Sequence, residues 1–356
     1  MKVTPPVRIT DAKLISSTLA EPHAPSAYSA GTTYAEGAVV SVAADFAIYE
    51  SLADLNLAHT PSTSTLWWRV IGPTETAYNA GSTYALGDTV SSASTHRCYE
   101  SLQAANLGNP LPVLPETETA WWLDVAATNK WAMFDFSRNT QSVGASPLTV
   151  VVAPGERVNT VGVFCDANSV TISATSVTGG GTVYGPVTFD LNRRTVIDAY
   201  TYFYEPFGTV PSKVVFDLPP YSDIIITVTL AATHGNVKCG GVVVGTAVYI
   251  GDVLYQSKND GLNFSSVTRD LWGNATLVPR RTVPRTTQRL VVDSRYINKI
   301  LTTRALLNAQ VAMWTGIDED SSDWFEMHAV LGFYKTLEVG SIVAEKADVN
   351  LELEEI

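Results

Sequence analysis

The chain has 356 residues, 46% of them hydrophobic and only 16% charged, with a formal net charge of −12. At roughly 150 residues per domain this gives two or three folding units, and the apolar content describes a packed protein, not a disordered one. The acid excess argues against nucleic acid as a partner and against an anionic membrane surface, because both recruit Lys and Arg.

Residues 1–25 are expected to form an N-terminal arm or strand. Their opening, Met1-Lys2-Val3-Thr4-Pro5-Pro6, leads into no apolar run, so a signal peptide is not expected. An internal repeat follows. Residues 27–57 align without gaps on 77–107 with 17 of 31 positions identical, and past a four-residue insertion Trp67-Trp68 matches Trp121-Trp122. Two modules are therefore expected, at 26–74 and 75–128. Each reads as short β-prone runs punctuated by Gly, Pro, Ser and Asn, which describes a small three-stranded sheet. A unit this small, with no disulfide, must build its core from large rings.

Neighbouring side chains on a strand face opposite ways. If the Trp-Trp pairs lie on strands, one indole of each pair faces the core and the other faces out. The outer ring either packs on a neighbouring domain or offers a platform on which the C–H face of a sugar stacks. The candidate carbohydrate-contacting residues are one tryptophan of each pair, Trp67 or Trp68 and Trp121 or Trp122. Tyr34 and Tyr84 would lie beside them, with the central Tyr49 and Tyr99 completing the set.

The order Tyr34-x2-Gly37-x2-Val40, Tyr49-x-Ser51, Asn56, Pro61, Trp67 is repeated as Tyr84-x2-Gly87-Asp88-x-Val90, Tyr99-x-Ser101, Asn106, Pro110, Trp121. It resembles the small chitin-binding type 3 carbohydrate-binding modules of the family 5/12 type. The first copy has Ala38 where the second keeps Asp88, and both lack the family's glycine-aromatic step before the central Tyr. Directly behind the second copy, Thr128-Asn129-Lys130-Trp131-Ala132-Met133-Phe134-Asp135 resembles a class of tailed-bacteriophage virion proteins, as does the opening Val7-Arg8-Ile9-Thr10-Asp11-Ala12. In that class, sugar-binding-like modules are joined to β-rich tail or baseplate domains. The resemblance implies a structural, non-enzymatic protein of the virion tail (baseplate, tail tip or fibre), made in the host cytoplasm and carrying no cofactor. Its implied partners are other tail proteins, further copies of itself as a homo-oligomer, and a host-surface polysaccharide. Taken alone, Trp131 and Phe134 read as core.

From 129 to 245 the pattern is β: runs at 148–152, 158–165, 170–176, 183–191, 214–218 and 224–230, with Gly179-Gly180-Gly181 as a hairpin turn. That spacing predicts a β-sandwich or jelly-roll domain. No stretch reaches the ~20 apolar residues of a spanning helix, since 224–250 is interrupted by His234, Asn236 and Lys238. Residues 246–356 read as a C-terminal α+β domain. Asp293 or Ser294 would cap a helix through Tyr296, Ile297, Ile300, Leu301, Arg304 and Leu307, with strands at 242–255, 328–337 and 349–356. The closing strand suits pairing with a neighbouring chain. The fold class is thus mainly β: two three-stranded modules, a sandwich and an α+β domain.

Motifs for chemistry are scarce. His23, His59, His96, His234 and His328 show no zinc spacing, and Cys98, Cys165 and Cys239 read as reduced thiols. The acidic run Asp318-Glu319-Asp320-Ser321-Ser322-Asp323 lacks the glycine and closing glutamate of a calcium loop and reads as solvated. Arg280, Arg281, Arg285, Arg289 and Arg295 read as a docking arm for an acidic partner or a second copy. Two alternatives stay open: a polysaccharide-degrading enzyme with tandem modules, and a virion protein whose modules are purely architectural.

Overall fold

The computed structural model describes the whole chain apart from residues 20–25, 43–46, 74–75, 114–115, 194–195, 206–207, 256, 270–271, 273 and 318–323. His23 and the acidic run 318–323 therefore lie outside the described residues. The architecture is mainly β, with short helical pieces.

The sandwich pairs a five-stranded sheet with a four-stranded one. The first runs Gly181–Asp190, Ser169–Ser176, Ile225–Ala231, Leu148–Val152, Leu14–Ser17; the second runs Ser142–Gly144, Val237–Gly245, Thr160–Asp166, Ser212–Val215. Period-two alternation builds the core: Val150, Ile172 and Val228 from one sheet meet Val161, Val163 and Val237 from the other. The outer face of the four-stranded sheet is also covered. Phe164, Val214 and Val243 pack on Met313, Phe325, Ala329 and Leu331 of the C-terminal domain. Gly162 lies on that face, where a Cβ would overlap Met313 Sδ, so the close approach of the two domains needs a glycine. The strands expected here are found within three residues of their predicted bounds, and the triple glycine turns a hairpin.

The C-terminal sheet runs Val248–Tyr249, Lys2–Thr4, Ala312–Thr315, Ala329–Val343, Lys346–Glu355, Thr282–Asp293, Asp252–Val253, and Lys258–Asn263 also pairs with Thr282–Asp293. The N-terminal segment contributes two strands. Its first strand sits inside this sheet between distant partners, and its second, Leu14–Ser17, closes an edge of the sandwich. The expected strand 242–255 is broken into three. The chain leaves the sandwich after Gly245 and enters the other sheet, turning at Gly251 with φ +138°.

Helix Ile297–Leu306 lays Ile300 on the sheet, and Leu307 just past its end joins the same core with Trp314, Leu337 and Val349. Leu301 falls off that stripe. Arg304 instead donates to the Leu337 carbonyl (3.1 Å). The expected cap is absent: a 3₁₀ turn, Ser294–Tyr296, leads into the helix, and neither Asp293 nor Tyr296 makes a capping side-chain bond. The closing strand is not an edge, because it pairs on both sides, with Thr282–Asp293 and with Ala329–Val343. The arginine stretch is largely neutralised within the chain. Arg281 pairs with Glu355 (3.0 Å), Arg285 with Asp260 (2.5 Å) and Glu352 (3.3 Å), Arg289 with Asp348 (3.5 Å) and Arg295 with Asp293 (3.4 Å). Arg285 and Arg289 lie on the strand Thr282–Asp293, with Arg280 and Arg281 just before it and Arg295 just past it.

Candidate functional site

The two modules are geometric duplicates. Module 1 is the sheet Val39–Val42, Ala47–Ser51, Trp68–Pro73; module 2 is Thr89–Ser92, Arg97–Ser101, Trp122–Ala127, with Thr76–Ala77 added in parallel. The bridge Ala27↔Ser41 in module 1 stands where Ala77↔Ser91 pairs in module 2, and Tyr34↔Asn56 stands where Tyr84↔Asn106 pairs. Gly37 and Gly87 both turn with positive φ, +81° and +85°. A side chain at either would be strained, which explains the repeated Tyr-x2-Gly spacing.

Each core is a triad of rings. Trp68 meets Tyr28 and Tyr34 edge-on at 5.9 and 5.2 Å; Trp122 meets Tyr78 and Tyr84 at 5.8 and 5.2 Å. The indole N–H groups donate to the carbonyls of His59 (2.7 Å) and Asn109 (3.0 Å). Tyr49 and Tyr99 complete the cores, and burial raises the Tyr99 hydroxyl above its ordinary pKa. Asn56 and Asn106 are buried beside them. Each amide donates to a serine hydroxyl, Ser51 (2.9 Å) or Ser101 (3.0 Å), and to the carbonyl of the outer tryptophan. That pair of bonds fixes the loop that carries Trp67 or Trp121.

Of the eight candidate residues, Tyr49, Trp68, Tyr84, Tyr99 and Trp122 are thus sealed in module cores, with Tyr34 half-buried in its triad. Trp67 and Trp121 remain, both half-buried. They do not lie on strands as expected. Each is the last residue before its strand begins, and Trp67 N–H donates to the Ser64 carbonyl (2.9 Å) in a turn. The inner and outer placement of each pair therefore comes from turn geometry, not from strand alternation.

The outer rings differ in their cover. His59 stacks on Trp67 at 4.0 Å and 12°. Asn109 occupies the corresponding position in module 2, and among the described residues no ring stacks on Trp121. The offset of 50 carries this difference in the sequence. Tyr28 and Tyr78, the third rings of the triads, lie before the Tyr34-x2-Gly37 and Tyr84-x2-Gly87 pattern, and no spacing in the sequence marks them as partners of the tryptophans.

Both modules rest on the sandwich. Asn236 Nδ2 donates to the Val70 carbonyl (3.0 Å), and a cavity of about 240 Å³ separates Val39, Ile48 and Glu50 from Leu19, Asn129 and Pro147. In module 2, His96 stacks on the buried Trp131 (4.0 Å, 16°) and pairs through Nε2 with Asp11 (3.0 Å), beside a groove of about 630 Å³. Trp122 pairs with Ser101, five residues along the strand from His96, so Trp121 sits about 16 Å from this anchor. Asp135, on the groove wall, is pushed above the ordinary carboxylate range by burial, opposed by the Thr140 hydroxyl and the Ser137 amide.

Among the described residues no group of three or more His, Cys, Asp and Glu side chains is placed to hold a metal ion. No helix of the described chain is long and apolar enough to cross a membrane. Comparison with protein-family models gives no match, and comparison with curated proteins gives none either.

Proposed function

We propose that this chain is a structural component of a bacteriophage tail whose two modules present Trp67 and Trp121 to host-surface sugar. The carrying observation is that both copies keep a second tryptophan at the module rim, half-buried against the core cluster, with its carbonyl held by a buried asparagine. An indole kept half-open has a flat apolar face for the C–H side of a pyranose, and neighbouring Asn and Gln side chains can meet hydroxyls. One such stack is weak. Two modules on one body, multiplied by copies in a homo-oligomer, convert later contacts into intramolecular ones.

The placement of the modules supports this reading. Module 2 is tied to the body through His96 and Trp131, at the far end of the sheet from Trp121. The β-rich body supplies surfaces for other tail proteins, and the reading takes the chain as non-catalytic. Binding of the full chain to glycan arrays and to host cells tests it. Trp67→Ala with Trp121→Ala should abolish binding while leaving the fold intact; absence of binding by the unaltered chain, or binding indifferent to both changes, defeats it. Release of reducing sugar from bacterial polysaccharide would defeat the non-catalytic part.

A second reading, in which the modules are architectural, is favoured by the His59 ring that already covers one face of Trp67. On that reading glycan binding is absent, and the modules are found buried against neighbours in purified particles.

A further inference from the structure

The four-stranded sheet of the sandwich places Thr160–Asp166 beside Val237–Gly245 as its two middle strands. Their register runs evenly from Thr160↔Gly245 to Phe164↔Gly241 and then slips by one residue, so that Cys165 faces Cys239 and Gly240 is the extra residue of a bulge. The slip decides where Cys239 points. Val242 and Val244 face the sandwich core and Val243 faces the C-terminal domain, so unbroken alternation would send residue 239 to the Val243 side. The bulge turns Cys239 into the core instead, where Cys165 already points with Val161 and Val163. Two thiols therefore stand opposite each other on one face. The Cys165 amide donates to the other side, to the Pro211 carbonyl (2.9 Å), so its pairing with Cys239 is of the non-hydrogen-bonded kind. Such pairs set their Cα atoms about 4.5 Å apart, inside the roughly 4.4–6.8 Å that a disulfide spans.

We propose that Cys165 and Cys239 are a latent disulfide, which an oxidant of the small-molecule disulfide class closes to lock the two middle strands together. Both are free thiols as the chain stands. Cys165 reacts first, because it is next to last on its strand, beside the exposed Asp166, and is 6% exposed where Cys239 is sealed. As thiolate, Cys165 Sγ attacks one sulfur of the oxidant and expels the first small thiolate. The Cys239 thiolate then attacks Cys165 Sγ and expels the second. The protein thiols give up two electrons to the oxidant, and their two protons pass to the small thiolates. Burial raises both thiols, Cys239 to about 12, so the exchange is slow at neutral pH and quickens as pH rises. The bond closes a long loop, from 165 to 239, the case in which a cross-link restricts the unfolded chain most.

The test refolds the full chain from denaturant in a buffer of oxidised and reduced glutathione, alkylates the remaining thiols and reads the peptides by mass spectrometry before and after reduction. The Cys165 and Cys239 peptides should be joined. Cys98, which lies across from Ser91 and Ala126 in module 2, should stay outside the link. The folded chain given oxidised glutathione should reach the same link more slowly, and faster at mildly alkaline than at neutral pH. Linking should raise the midpoint of the sandwich's thermal transition by about 5–15 °C. That rise should vanish in Cys239→Ala, and should this variant fail to fold, the peptide map of the unaltered chain still decides. Cys165 and Cys239 recovered alkylated, each joined to glutathione, or either joined to Cys98, overturns the proposal, and so does a link that lowers the midpoint.

Discussion

Trp122→Ala and Trp121→Ala alter adjacent residues, and their consequences should differ by several kcal/mol. Trp122 is fully buried, meets two tyrosines edge-on and donates its indole N–H to the Asn109 carbonyl. Truncating a buried Trp costs about 3–5 kcal/mol, and the edge-on ring pairs add about 0.5–1.5 kcal/mol. A module of some 50 residues holds only about 2.5–7.5 kcal/mol at 0.05–0.15 kcal/mol per residue. Trp122→Ala should therefore bring module 2 to the edge of unfolding or past it. Trp121 is half-buried at the rim, so its loss should cost about 1 kcal/mol. Hydrogen exchange read by mass spectrometry on the full chain separates the two. In Trp122→Ala the amides of Thr89–Ser92, Arg97–Ser101 and Trp122–Ala127 should lose protection while Thr160–Asp166 in the sandwich keeps it. Trp131 emission should also change as His96 leaves its ring. In Trp121→Ala protection should fall by less than about tenfold, since 1.4 kcal/mol is a factor of ten. Equal losses in the two variants would refute the division of each pair into a structural ring and a rim ring.

Three further outcomes are expected. Gly332→Ala places a Cβ on the Glu354 carbonyl, which belongs to the main chain of the next strand and cannot rotate away. The C-terminal domain should lose about 2–3 kcal/mol, read as a lower denaturant midpoint, and an unchanged midpoint would contradict the pairing. Phe164→Ala empties the contact between the sandwich and the C-terminal domain and strips Arg138 of the ring it covers at 4.9 Å. Calorimetry should show the two bodies melting in separate steps, and one unshifted transition would argue against this interface. Asp135 and Glu326 are both pushed up by burial, so their protonated forms favour the fold. The stability they contribute is complete below the unfolded carboxylate pKa of about 4 and is lost as pH rises through their higher folded values. Asp135→Asn with Glu326→Gln should flatten stability over that weakly acidic window, and an unaltered slope in pH-dependent denaturation would count against the assignment.

What the sequence made legible follows from the range of each interaction. Alternation over five to eight residues is local, so Leu148–Val152 and Ile225–Ala231 announce themselves. Duplication made the modules legible through spacing alone, down to which positions of the two copies correspond. The N-terminal strand was not legible, because Lys2 pairs with Thr315 and Tyr249, and nothing within ten residues of Lys2 records either partner. Thr282–Asp293 was misread for a related reason. Its arginines form a charge run along the chain, but the strands beside it bring Asp260, Asp348 and Glu352 into reach, so cations adjacent in sequence become cross-strand pairs in the sheet. Exposed pairs of this kind are worth about 0–1 kcal/mol each. Their larger effect is to remove that stretch from the set of surfaces free to hold a partner. The two-stranded ribbon beyond Asn263, Ser266–Arg269 paired with Ala275–Val278, has no third strand across from it among the described residues, and its apolar pair Val267 and Leu277 stays uncovered. Alternation alone therefore does not tell a covered face from a bare one: Val267 and Leu277 stand beside Thr268 and Thr276 as core residues would, yet are 55% and 70% exposed.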